Sequence, residues 1–101
     1  MTIKPGAKIR GIRPELAIAL QIIDGIYRAH GLELMITEGT GATHMAGSLH
    51  YVGQAADLRS SNVPTAIHDP VINEIRTALG AEFDFVVEAD HFHVEFQPKT
   101  P

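Results

Sequence analysis

The chain contains no cysteine. That absence removes disulfides, thiolate metal ligands and cysteine nucleophiles together, so any metal site must be built from His, Asp and Glu. No apolar run approaches the roughly 20 residues that span a membrane, and a membrane partner is not expected. The N-terminal stretch MTIKPGAKIRG lacks the apolar core of a secretory signal, which predicts synthesis in the cytoplasm without a signal peptide. Positive charge is sparse: eight Lys and Arg stand against twelve Asp and Glu, giving a formal net charge of −4. The basic residues are scattered rather than clustered, which argues against the concentrated basic face that nucleic acid requires. Internal repeats and low-complexity segments are absent.

What is present is the composition of an ordinary soluble domain, 45% hydrophobic and 20% charged over 101 residues. That length fits one domain with a single modest core. Six histidines are many for this size. Four of them, His44, His50, His91 and His93, lie in or just before two stretches, SLHYVGQAADLR (48–59) and EADHFHVEF (88–96).

From Pro14 to His30, apolar residues at 16, 19, 20, 23, 26 and 27 have the spacing of one buried helical face. Pro14 suits the first turn and Gly31 the C-terminal stop. Gly25 inside this helix should cost ~1 kcal/mol relative to Ala, a cost that close packing would explain. LELMIT (32–37) reads as a strand, EGTGATHMAGS (38–48) as a loop, and QAADL (54–58) as a short strand. Asp69 and Pro70 open a second helix, VINEIRTALG, closed by Gly80. FDFVVE (83–88) and HFHVEF (91–96) read as strands joined in a tight hairpin by Ala89 and Asp90. The order of elements predicts an α+β domain.

Period-two geometry puts His91, His93 and Glu95 on one face of the last strand and Phe92, Val94 and Phe96 on the other. Asp57 shares a face with Ala55, whose small side chain leaves space beside the carboxylate. Gly53 permits a turn that brings His50 and Asp57 together. Imidazoles and one carboxylate, without thiolate, are a donor set that suits zinc. Three protein ligands leave a fourth position, where a water's pKa falls toward ~7. Asp90 and Glu88 are both candidates for moving the proton of that water. Each residue also has a plainer reading. An isolated HxH on a strand is more often a hydrogen-bonded pair, Asp90 can be a turn residue, and Glu88 a charge at a hairpin end. Glu95 reads as a solvated carboxylate or a partner of a ligand. His30 reads as a helix C-terminal histidine favoured by the dipole, and His68 as surface.

With Ser48, His50, Gly53, Ala55 and Asp57 followed by His91 and His93, the chain resembles the zinc D-Ala-D-Ala carboxypeptidase and L-alanyl-D-glutamate endopeptidase family, which cuts bacterial cell-wall peptides. It is also similar to the signalling domain of hedgehog proteins, through Ile36–Gly39, Ser48–Tyr51 and the Phe-Asp before the last hairpin. The resemblance covers roughly residues 14 to 98. It implies a small, mostly antiparallel sheet with two main helices on one face, and a single zinc peptidase domain over 1–101. Residues 1–13 are then an N-terminal arm and 97–101 a frayed tail.

Carried over, the resemblance makes His50, Asp57 and His93 the Zn²⁺ ligands and Asp90 the general base. Glu88, with the same offset from His91, is the alternative in a shifted register. His91 then stands beside the metal, and His44 and Ser48 contact the substrate. The implied activity is hydrolysis of an amide bond in peptidoglycan stem peptides. The alternative is a non-catalytic, zinc-stabilised, hedgehog-like binding module. Peptidases of this family often carry an arginine before Ser-x-His, and none stands there in this chain. Arg59, just beyond Asp57, is expected on the opposite face of the strand. Only Glu38 remains of the acids that hold calcium in hedgehog domains, so no calcium site is expected. The size resembles phage or prophage lysins, which are made in the cytoplasm and act at the cell wall, and a monomer is expected.

Overall fold

The structure, a computed structural model, describes residues 1–40 and 53–98. In chain order the elements are β1 (Thr2–Ile3), α1 (Pro14–Ala29), β2 (Met35–Glu38), β3 (Ala55–Arg59), α2 (His68–Leu79), β4 (Phe83–Val87) and β5 (His91–Phe96). A 3-10 turn at Thr65–Ile67 leads into α2.

Pro14 occupies the first position of α1, where a missing N–H costs no helical hydrogen bond. The helix buries Leu16, Ala19, Leu20, Ile23 and Tyr27, the stripe that the spacing predicts. It stops at Gly31, whose φ of 72° is open to glycine without strain. Close packing does not explain Gly25: a Cβ built there meets nothing within 4 Å. α2 starts one residue before the expected Asp69, and His68 stacks against Phe92 with ring centroids 5.4 Å apart. His68 is therefore half-buried against the core rather than simply a surface residue. His30 caps α1 and places Nε2 2.8 Å from Glu74 Oε2, which ties the end of α1 to α2.

The five strands form one sheet in the order β1-β2-β3-β5-β4. β1 runs parallel to β2, and the other three pairings are antiparallel. β1 lies within the stretch expected to be an arm. The rest of that stretch is also fastened, because Arg13 N–H donates to Gly53 O at 2.8 Å and Thr40 N–H to Lys8 O at 2.8 Å. Gly53 has φ 75°, and a Cβ there would stand 2.2 Å from Gly11 O. Its glycine is required twice, by conformation and by the backbone pressed against it.

β2 begins three residues later than LELMIT suggests. Leu32 N–H is still bonded to Tyr27 O at the helix end, and Leu34 is fully buried before the strand starts. β4 and β5 form the expected hairpin, with Glu88 N–H donating to His91 O at 2.9 Å across Ala89 and Asp90. Gln97 is not frayed, since its N–H donates to Glu82 O at 2.7 Å.

Inward residues of the sheet (Ile36, Ala56, Leu58, Phe85, Phe92 and Val94) join the buried stripes of both helices in one core cluster. Both helices therefore cover the same face. On the edge strand β4, the Arg76 guanidinium donates through Nε and Nη2 to Phe85 O at 3.2 and 2.8 Å, covering a carbonyl that no strand pairs. Among the described residues no helix is long and apolar enough to cross a membrane.

Candidate functional site

The register of β3 against β5 builds the site. Asp57 pairs with His93, Arg59 with His91 and Ala55 with Glu95. Cross-strand partners share a face. These six therefore project together, away from the helices, while Ala56, Leu58, Phe92 and Val94 point into the core. β4 adds Val86 opposite His93, and Glu88 follows at the hairpin end.

On this face Asp57 joins the two histidines. Its Oδ1 lies 2.8 Å from His93 Nδ1 and 3.7 Å from His91 Nε2. His93 Nε2 lies 2.9 Å from Glu95 Oε1, and His91 Nδ1 lies 2.6 Å from Asp90 Oδ1. A carboxylate can only accept, so both contacts of His93 are hydrogen bonds at once only when its ring carries two protons. The hydrogen bond to Asp57 accordingly raises the His93 pKa above its ordinary value. Partial burial opposes that rise, and Glu95 adds to it. The ring that the sequence proposes as a metal ligand thus lies between two carboxylates, an arrangement that favours its protonated form.

The donors that meet here are carboxylate oxygen and imidazole nitrogen, a chemistry that fits zinc. Of the three expected ligands, Asp57 and His93 are adjacent. His50 lies outside the described residues, as do His44 and Ser48. Among the described residues no group of three or more His, Asp or Glu could hold a metal ion by itself.

An open cavity of about 420 Å³ lies beside the pair, lined by Asp57, Arg59, Ser61, Asp90 and His91 and, from the β1–β2 side, by Lys4, Thr37 and Glu38. The two carboxylates proposed as bases differ in place. Asp90 lines this cavity and Glu88 does not, although both belong to the same hairpin. Arg59 corrects an expectation. It stands two residues from Asp57, not one, so strand alternation puts both on the same face, and the cavity brings them together. Lys4 was not foreseen at all. It follows a two-residue strand too short to show periodicity, and its N–H donates to Ile36 O at 2.9 Å, which fixes it beside β2. In comparisons with known proteins, no family model and no curated protein matches the chain.

Proposed function

We propose that the chain is a zinc-dependent peptidase that hydrolyses an amide bond in peptidoglycan stem peptides, of the D-Ala-D-Ala carboxypeptidase or L-Ala-D-Glu endopeptidase type, on a hedgehog-like fold. The observation that carries this reading is the meeting of Asp57 and His93 at 2.8 Å on the open face of the sheet, beside a cavity that Asp90 and His91 also line. Asp57 and His93, with His50, would hold the ion. When bound, zinc supplies Lewis acidity and makes a water acidic enough to ionise near neutral pH.

The chain's own residues do the remaining work. Asp90, 90% exposed at the turn, contacts His91 through Oδ1 and keeps Oδ2 to take a proton from water and return it to the leaving amine. His91 is held by Asp90 through Nδ1–H, so Nε2 of the neutral ring presents a lone pair, and it donates to an oxygen of the reacting carbonyl only when the ring carries two protons. Glu95 braces His93 from the far side of the ring and fixes its orientation. The cell wall is the site of action in this reading.

Digestion of peptidoglycan and of D-Ala-terminated peptides, read by product mass, tests the proposal. The zinc-loaded chain should release one defined fragment and the metal-stripped chain none. Asp90→Ala should lower turnover by about 10²–10⁴-fold with zinc retained, and Glu88→Ala should leave it within a few-fold. Zinc retention without any product would instead favour the non-catalytic binding module.

A further inference from the structure

The outer side of α1 is apolar as well as the inner one. Ile18 is 63% exposed and Ile22 37%, and Gly25 and Ala29 continue the same stripe toward the C-terminus. A groove of about 350 Å³ flanks the helix on one side, where Leu79, Phe83 and Phe96 stand beside these two isoleucines. A second groove, of about 230 Å³, flanks it on the other side, with Met1, Ile3, Ile9 and Ile12 beside Leu20. Of the six large apolar side chains exposed among the described residues, four belong to this helix or to that groove. Single exposed apolar residues need no explanation, but a ridge between two apolar grooves marks a surface for another protein.

The face is complementary to itself. Gly25 weakens α1, and a Cβ there would meet nothing within 4 Å, so packing inside the chain does not require it. It stands seven residues, about two turns, beyond Ile18, so both lie on the crest of the ridge. Let two copies of α1 cross antiparallel about a two-fold axis between Gln21 and Ile22. Ile18 then faces the partner's Gly25, and Gly25 faces the partner's Ile18. Each isoleucine enters the depression left by a missing side chain, with the reciprocity that an isologous interface requires. The same register brings Glu15 level with the partner's Arg28. Glu15 is exposed and in no ion pair among the described residues, and Arg28 is 69% exposed and engages Asp24 through Nε alone. Opposite charges therefore meet at both ends of the pair, and the helix dipoles run in opposed directions.

The sixteen residues of α1 span about 24 Å, and with a groove on either side the face is about 20 Å wide. Covering it buries roughly 500 Å² per copy and about 1,000 Å² in all, the lower limit of a specific interface. An area of that size fits reversible pairing.

We propose that this face joins two copies of the chain, with their α1 helices antiparallel, in place of the monomer that the sequence suggests. The polar face of the sheet lies on the side away from α1, so both candidate sites stay open and point away from one another. The inference is independent of the peptidase reading.

Sedimentation equilibrium of the whole chain from about 1 μM to 1 mM tests it, the range in which so small an interface dissociates. The mass should rise from 11.0 kDa toward twice that value. Ile18→Asp should weaken pairing at least about 100-fold, because it buries a charge without a partner. Gly25→Leu, which fills the depression, should weaken it at least about 10-fold. Both variants should melt no lower than the parent when dilute, since Ile18 is exposed and nothing surrounds Gly25. Glu15→Arg and Arg28→Glu should each weaken pairing several-fold, and the two changes in one chain should restore it. A mass of one chain at every concentration would overturn the proposal. So would a dimer that ignores Ile18→Asp and Gly25→Leu, or a charge exchange that fails to restore what its single changes remove.

Discussion

The two faces of the sheet are made from alternate residues of the same strands, yet they are held together by different physics. On β5, Phe92 and Val94 are fully buried against both helices, and their contribution is apolar burial. Their neighbours His91 and His93 look the other way, toward Asp57, Asp90 and Glu95. The first face is almost wholly apolar, and the Tyr27 hydroxyl is a buried polar atom within its cluster. The second concentrates like-signed carboxylates that are quiet only while a proton or another cation lies between them. The difference teaches that the core can be strong while the site is conditional on what occupies it.

The comparison can be broken first on its apolar side. Phe92→Ala should cost about 3–5 kcal/mol of stability in urea unfolding, because it leaves a cavity at the centre of the core. Gly53→Ala should cost at least 1–2 kcal/mol through its positive φ alone, roughly, with a further loss from the collision with Gly11 O. That loss should appear as a lowered melting temperature. On the polar side, Asp57→Asn should lower the melting temperature of the metal-stripped chain modestly below about pH 6.5 and hardly move it at pH well above the His93 titration. It should nonetheless weaken zinc binding by at least about 10-fold and return the His93 pKa toward its ordinary value. Gly25→Ala should stabilise by up to ~1 kcal/mol, since helix propensity favours Ala and nothing stands where the Cβ would go.

The pH dependence is the finest separation of the two faces. His93 has a pKa raised in the folded state above an unfolded value of about 6.5. The metal-stripped chain therefore has the full benefit of this group below about pH 6.5 and loses it as pH rises through the higher folded value. Denaturant midpoints measured upward from pH 6 should show this decline. Asp57→Asn should flatten it, and Phe92→Ala should shift the whole curve down with its shape kept.

Much of the fold was legible in the sequence, because its signals are local. The 3.6-residue stripe of α1, the two-residue alternation of β5 and the two-residue hairpin at Ala89 and Asp90 all appear as expected. The meeting of Asp57 with His93 was expected only through the resemblance, because the register that pairs them is a tertiary fact. β1 was hidden because two residues carry no period, and only its partner β2 makes it a strand. His68 looked like a surface residue because the ring it stacks on, Phe92, is 24 positions away in sequence. Arg59 was misassigned by one step of alternation, and one step is enough to move a side chain across the sheet. Its side chain instead lines the cavity together with Asp57.

The central claim is that the polar face is a zinc centre built on Asp57 and His93. Titrating zinc into the metal-stripped chain, while following the imidazole signals of His93 by NMR, tests it most directly. The account predicts one zinc per chain, loss of the raised His93 titration on binding, and release of protons as zinc replaces the bridge proton. No uptake of zinc, or uptake that leaves the His93 signals and titration unchanged, would contradict it.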